Sequence, residues 1–142
     1  MRGSPLCVDA NLVIRLIADP RDQAVRQAWE GWDADSRQIA APTLLYYEVG
    51  NALYRYQRAQ MMGAPAARLA FKAALALPIR LYGSQALHQR AWELAERFAL
   101  PATYDAHYLA LADRLGGEFW TADQKLIRIV QGELPWVHAV GG

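Results

Sequence analysis

Short apolar runs alternate with longer amphipathic stretches along most of this 142-residue chain. The apolar runs have the length of buried strands, and the stretches between them place apolar residues at helical spacing. Five strands are predicted, at residues 6–8, 38–41, 79–82, 119–121 and 136–140. Strands that alternate with helices or helix pairs are typical of an α/β protein whose parallel sheet is covered by helices on both faces.

The helices between these strands are bounded by residues that commonly start or stop helices. They are predicted at residues 12–17, 22–34, 44–60, 66–77 and 124–130, with two more that run from the Ser84 cap to residue 98 and from Thr103 to Gly116. Thr43 is a further predicted N-cap, and Gly63-Ala64-Pro65 is predicted to separate two helices. No internal repeat, low-complexity tract or linker interrupts the pattern, so we expect a single domain over residues 1–142.

Composition and charge exclude several classes of protein. Fifteen Lys and Arg against fourteen Asp and Glu leave a formal charge of +1, which excludes a highly basic nucleic-acid-coating protein and an acidic disordered tail. The single cysteine, Cys7, can form neither an internal disulfide nor a zinc site alone. Neither a signal peptide nor a membrane-spanning run is evident, so we expect a cytoplasmic protein that does not enter a membrane.

Two aspartates follow predicted strands directly. Asp9 comes after the first strand and Asp123 after the fourth. Ligands of open α/β folds bind at the carboxyl ends of the strands, so both positions suit an active site. Each aspartate also precedes a predicted helix, where Asp is a common N-cap. Both interpretations stay open.

Two further acids occupy helix positions next to apolar faces. Glu48, Asn51 and Arg55 form a polar stripe on one predicted helix, which could also be an ordinary solvated edge. Asp105 shares its helix face with apolar residues, so we expect its side chain to point inward rather than to water. The alternative is an acid in the first helical turn that favours the helix dipole.

Four carboxylates brought together at apolar or strand-end positions would repel one another. Crowded like charges raise one another's pKa and lower stability unless a cation neutralises them. No Lys or Arg immediately flanks the four acids in the sequence, except at the next helix turn. A hard divalent ion fits better, with Mg²⁺ or Mn²⁺ favoured by oxygen ligands. Such an ion can activate water and stabilise the charge of a phosphodiester under attack.

The acids lie in four sequence blocks that together resemble a known family. The blocks are Val8-Asp9-Ala10-Asn11, Tyr47-Glu48-Val49-Gly50-Asn51-Ala52-Leu53, Tyr104-Asp105-Ala106-His107-Tyr108-Leu109-Ala110-Leu111-Ala112 and Thr121-Ala122-Asp123-Gln124-Lys125-Leu126. Their order and spacing resemble the motifs of PIN-domain ribonucleases and, within these, the VapC-type toxins of toxin–antitoxin pairs. The resemblance implies an α/β/α sandwich with a five-stranded parallel sheet and Mg²⁺-dependent endonucleolytic cleavage of RNA. It also implies a cognate antitoxin and a homodimer.

Carried over position by position, the resemblance implies roles for individual residues. The metal-binding and catalytic set would be Asp9, Glu48, Asp105 and Asp123. The supporting polar residues would be Asn11, Asn51 and Thr121. Many relatives carry a further acid just after the last Asp, where this chain has Gln124-Lys125. That departure leaves open whether one metal ion binds or two.

Other polar residues suggest less. His88, His107 and His138 are scattered over different predicted elements, and His107 lies about 200° around its helix from Asp105, which argues against a histidine-pair ribonuclease.

Arg15, Arg55 and Lys125 could contact RNA phosphates locally despite the neutral total charge. Two alternatives to a nuclease stay open. One is a catalytically inactive PIN-like module that only binds RNA or protein. The other is a phosphatase with Asp9 as nucleophile, although such enzymes usually have a second acid where this chain has Asn11.

Overall fold

The five apolar runs form one parallel sheet in the computed structural model, which describes residues 4–141. The strands are β1 (Leu6–Val8), β2 (Ile39–Pro42), β3 (Ile79–Tyr82), β4 (Glu118–Thr121) and β5 (Val137–Ala139). Their order in the sheet is β3-β2-β1-β4-β5, and every neighbouring pair is parallel. The predicted α/β class and the five-stranded parallel sheet are therefore confirmed.

The first strand lies at the centre of the sheet, because the chain crosses to one side of it and later to the other. Cys7 of β1 is in register with Ala40 of β2 and with Phe119 of β4. All three residues of β1 are buried, as expected for a central strand covered on both faces. The carboxyl ends of β1 and β4 consequently lie side by side at one edge of the sheet.

Seven helices connect the strands within residues 4–141. They are α1 (Ala10–Ala18), α2 (Gln23–Ala34), α3 (Leu44–Arg58), α4 (Ala64–Leu75), α5 (Gln85–Phe98), α6 (Tyr104–Leu115) and α7 (Gln124–Val130). The prediction for α4 was wrong at its start, because Pro65 lies in the first turn of the helix. The N–H group that proline lacks has no partner inside a helix at that position, so proline is tolerated there.

One predicted cap is confirmed and another is wrong. The Ser84 hydroxyl accepts a hydrogen bond from the Leu87 N–H group and caps α5. Thr43 makes no such bond at the start of α3, because its backbone is already helical, with φ of −55°. Its N–H group instead donates to the carbonyl oxygen of Tyr82, which ties the start of α3 to β3.

Close approach of the backbones at the start of β4 requires a glycine. A side chain at Gly117 would overlap the carbonyl oxygen of Pro5, which accepts a hydrogen bond from the N–H group of Glu118. Next to this junction, the buried face of α6 packs against β1, β2 and β4.

Within the described part of the chain, no helix is both long and apolar enough to cross a bilayer.

Candidate active site

An open cavity of about 420 Å³ lies at the carboxyl ends of β1 and β4. All four acids singled out in the sequence line it, namely Asp9, Glu48, Asp105 and Asp123. They come from the end of β1, from α3, from the first turn of α6 and from the end of β4. Four segments that are far apart in the sequence therefore place a carboxylate around one cavity.

The two aspartates that follow strands are helix caps and cavity-lining residues at once. Asp9 Oδ1 accepts a hydrogen bond of 3.0 Å from the N–H group of Leu12, and Asp123 Oδ1 accepts one of 3.1 Å from Leu126. Each carboxylate is therefore fixed by the N-terminus of the helix that follows it. The two interpretations of these residues are compatible, because a carboxylate oxygen that accepts one hydrogen bond keeps a further lone pair for a ligand.

The Thr121 hydroxyl links these two aspartates. It donates a hydrogen bond of 2.5 Å to Asp9 Oδ2 and accepts one of 3.0 Å from the N–H group of Asp123. Thr121 is fully buried, so this bridge has no competition from solvent. The two bonds hold the end of β4 against the end of β1, so Thr121 helps to position both Asp9 and Asp123.

Burial raises the pKa of Asp9 from 3.8 to about 6. Hydrogen bonds from Thr121 and Leu12 oppose this effect, while the charges of Asp105 and Asp123 add to it. A buried carboxylate with two acidic neighbours prefers its neutral form. Ionisation of all the carboxyl groups around the cavity at once is therefore unfavourable.

Glu48 is held by a tyrosine that the sequence analysis did not single out. The Tyr108 hydroxyl donates a hydrogen bond of 2.6 Å to Glu48 Oε1 and so connects α6 to α3. Burial, followed by the hydrogen bond to Glu48, raises the pKa of Tyr108 far above its usual range, so the phenol stays protonated. Tyr108 lies three residues after Asp105, which was the available signal, because residues at that spacing share a helix face.

The expected orientation of Asp105 is only partly right. Asp105 lines the cavity, but it is exposed, because the cavity is open to solvent at this point. Partial burial raises the pKa of its carboxyl group, and the charges of Asp123 and Glu48 raise it further. Its apolar neighbours Leu109 and Ala112 are fully buried, so the acid lies at the boundary between core and cavity.

The charge of the cavity has no cationic partner among the described residues. Arg15 lines the cavity, but its guanidinium group pairs with Asp22 at 3.5 Å. Among residues 4–141, no Lys or Arg lies within salt-bridge distance of the four acids. Four oxygen donors without a cationic partner suit a hard divalent ion.

The four acids have the right chemistry for a metal ion, but they are not gathered around one point. In the described part of the chain, no group of three or more His, Cys, Asp or Glu side chains is arranged closely enough to hold a metal ion as it stands. Carboxylate oxygens without a cationic partner suit Mg²⁺ or Mn²⁺. The side chains would have to move closer together to coordinate one ion.

The remaining predicted residues divide between the cavity and the surface. Asn11 lines the cavity, as does Gln124, which replaces the further acid of many relatives. Asn51, Arg55 and Lys125 are exposed and are not among the residues that line it. These three residues could therefore contact only a ligand that extends beyond the cavity onto the surface.

The three histidines lie on different elements, as predicted, but two of them are in contact. His88 Nδ1 and His107 Nε2 lie 2.8 Å apart, because α5 packs against α6. His107 Nδ1 donates to the carbonyl oxygen of Thr103 at 2.6 Å. Neither ring lines the acidic cavity, as the predicted angle between His107 and Asp105 implied.

Comparison with known proteins identifies the family of this chain and agrees with its fold. The PIN domain family model matches residues 6–131. Ribonuclease VapC9 of Mycobacterium tuberculosis is 30% identical over 109 residues, which cover 72% of this chain and 84% of that protein. VapC ribonuclease Mb0985 of Mycobacterium bovis matches over the same length at the same identity.

A solved structure shows the same fold at lower identity. A toxin–antitoxin complex from Klebsiella pneumoniae contains a chain that is 24% identical and superposes with a TM-score of 0.65. The match covers 94% of this chain and 95% of that one. At this identity the likeness concerns the fold alone.

Proposed function

This chain belongs to the PIN-domain family and, within it, to the VapC-type ribonucleases, and on that premise we propose that it is a Mg²⁺-dependent endoribonuclease that acts as a toxin. The observation that carries the proposal is the convergence of Asp9, Glu48, Asp105 and Asp123 on one cavity. The four acids come from separate segments, and no cation of the described chain neutralises them. Mn²⁺ could replace Mg²⁺, because both ions favour carboxylate and water oxygens.

The proposed metal-holding residues are these four acids. When bound, the ion supplies positive charge for a scissile phosphate and lowers the pKa of a water molecule. Asp9 and Asp123 keep fixed orientations because helix N–H groups hold one oxygen of each. Glu48 Oε2 and the exposed Asp105 carboxylate remain available to accept a proton from, or orient, an attacking water.

Hydrolysis by water determines the chemistry of the product ends. No histidine is among the residues that line the cavity in the described part of the chain, so no imidazole is placed there to activate the RNA 2′-hydroxyl. We therefore expect 5′-phosphate and 3′-hydroxyl ends. Arg15 at the cavity, with Arg55 and Lys125 on the surface, is proposed to contact the RNA backbone.

The two alternatives have less support. An inactive PIN-like module would be expected to lack one of the four acids, and all four are present. A phosphatase with Asp9 as nucleophile would usually have a second acid two residues later, where this chain has Asn11.

We extend the proposal to partners. A cognate antitoxin is proposed to bind the acidic cavity, where an Arg or Lys could pair with the carboxylates. A homodimer is proposed because large apolar side chains are exposed on α3, on α4 and in the connection between them, namely Tyr47, Leu69 and Met61. The proposal places the protein in the cytoplasm, together with cellular RNA.

A cleavage assay on total RNA tests the activity. We expect cleavage with Mg²⁺ and none with a chelator. Asp105→Asn keeps the size of the side chain but removes its charge, so activity should fall by at least about a hundredfold. Asp113→Asn is the matched control, because Asp113 lies on the same helix and pairs only with Arg90 among the described residues, in an exposed ion pair of 3.3 Å.

Analysis of the product ends completes the test. Full activity of Asp105→Asn in chelator, or 2′,3′-cyclic phosphate products, would contradict the proposed reaction. Equal losses in Asp105→Asn and Asp113→Asn would show that the assay reports on α6 as a whole rather than on the site, and would contradict the assignment of Asp105.

A further inference from the structure

The four acids of the cavity are held in different ways. Asp9 and Asp123 each have one oxygen fixed by the N-terminus of the helix that follows. Glu48 lies in the second turn of α3, where the backbone N–H groups bond within the helix and are not available to it. Its hydrogen bond comes from the Tyr108 hydroxyl, at 2.6 Å. Tyr108 thus does for Glu48 what a helix N-terminus does for the two aspartates.

The ring of Tyr108 is suited to hold a longer side chain in one place. Tyr108 is 1% exposed, and its ring stacks on Phe119 of β4 with 6.0 Å between centroids. Glu48 is only partly buried and has three side-chain torsions to restrict. A hydroxyl on a ring that is packed against the sheet gives the carboxylate a rigid anchor, whereas Glu48 alone would move in the open cavity.

The type of donor also matters. A neutral hydroxyl orients the carboxylate without cancelling its charge, whereas a Lys or Arg in the same place would neutralise it. The bond uses only Oε1 of the Glu48 carboxylate, and both residues line the cavity. Outer hydrogen-bond partners of this kind determine how well ligands are oriented for a metal ion.

We propose that Tyr108 is a positioning residue that orients the Glu48 carboxylate for binding a divalent cation and for the cleavage step. The assignment rests on the proposed function, and it adds a residue that neither sequence pattern nor charge singled out. Tyr108 does not act as an acid or base in this assignment; its effect passes through Glu48.

The experiment compares Tyr108→Phe with Tyr46→Phe. Tyr46 is a matched control, because it lies on α3 two residues before Glu48 and its hydroxyl also makes a bond of 2.6 Å, to the carbonyl oxygen of Ala74. Both variants keep the ring and lose one hydrogen bond. Calorimetric titration with Mn²⁺ measures binding directly, and kcat and KM are measured on a defined RNA that the wild type cleaves.

We expect Tyr108→Phe to weaken Mn²⁺ binding and to lower kcat about tenfold, with KM for RNA nearly unchanged. Tyr46→Phe should bind Mn²⁺ and cleave RNA like the wild type. In a Glu48→Gln background, Tyr108→Phe should add less than about a twofold effect, because the group through which it acts is already altered. Glu48→Asp, which moves the carboxylate away from the hydroxyl, should weaken Mn²⁺ binding to a similar degree.

The outcomes separate this inference from the proposed function. A wild type that binds no Mn²⁺ and cleaves no RNA overturns both. A functional wild type with an unaffected Tyr108→Phe overturns the role of Tyr108 alone, as do equal losses in the two tyrosine variants. If Tyr108→Phe does not fold, normal Mn²⁺ binding by Glu48→Asp overturns the role of the hydroxyl bond.

Discussion

Replacing Asp9 by Asn should stabilise the metal-free protein at neutral pH. The pKa of Asp9 is raised by burial from 3.8 to about 6 in the folded state. The unfolded chain therefore releases this proton at lower pH than the folded chain does. Stability is unaffected below the unfolded pKa, falls as pH rises through the interval between the two values, and stays reduced above about 6.

The size of the effect follows from the shift. Each pH unit of difference corresponds to about 1.4 kcal/mol, so an ionised Asp9 reduces the free energy of unfolding by about 3 kcal/mol at pH 7.5. Asn can still accept the hydrogen bond from Leu12, and its amide group can donate to the Thr121 hydroxyl. The substitution thus removes the charge while keeping the helix cap.

Urea denaturation in chelator at pH 4 and pH 7.5 measures this difference. Asp9→Asn should be more stable than the wild type at pH 7.5 by up to about 3 kcal/mol, and nearly equal to it at pH 4. Adding Mg²⁺ should stabilise the wild type by mass action and leave Asp9→Asn almost unchanged. Asp22→Asn is the control, because Asp22 caps α2 in the same way but faces Arg15 instead of other acids.

Two results would refute the reasoning. One is a loss of stability in Asp9→Asn at pH 7.5 that equals the loss in Asp22→Asn. The other is a difference between Asp9→Asn and wild type that does not vary between pH 4 and pH 7.5. Either result would mean that Asp9 does not carry an unfavourable charge in the folded protein.

Two further predictions concern assembly and the sheet. Light scattering at micromolar concentration should give twice the chain mass of 15.9 kDa, and a monomeric mass would contradict the proposed homodimer. Burial alone would raise the pKa of Glu118, but hydrogen bonds from Arg37 and Trp120 outweigh it and leave the pKa lowered. Glu118→Gln should therefore lower the free energy of unfolding by about 1–2 kcal/mol at pH 7, and by less as the pH falls and Glu118 takes up its proton; a loss that does not vary with pH in urea denaturation would exclude the charged contact.

Much of the fold was predictable because the sheet is parallel and buried. Short apolar runs such as residues 6–8 have the length of buried strands rather than of helices, and residues such as Ser84 mark where helices begin. Element ends were less predictable. Thr43 illustrates this, since its helical backbone and its bond to Tyr82 depend on where β3 lies, which no local sequence pattern specifies.

The placement of Asp9 and Asp123 at one edge of the sheet was predictable for a related reason. The side chains that hydrogen-bond to the acids were not predictable. Asp9 and Asp123 follow strands, and the carboxyl ends of neighbouring parallel strands meet at one edge. The bond between Glu48 and Tyr108 joins residues that are 60 positions apart, and His88 meets His107 only because α5 packs on α6. Contacts between side chains of different helices depend on packing that the periodicity of each helix does not determine.

The donors around the cavity explain why it would require a cation. The groups that hold Asp9, Glu48 and Asp123 are backbone N–H groups, the Thr121 hydroxyl and the Tyr108 hydroxyl, and all of these are neutral. Neutral donors and helix N-termini reduce the repulsion between acids only partly, as the raised pKa of Asp9 indicates. An Arg in this place would occupy the position that a metal ion needs and would cancel the charge that attracts it. In the described part of the chain, three of the four acids are therefore oriented by neutral donors and none is paired with a cation, which is the arrangement that a divalent ion or a basic side chain of an antitoxin would complete.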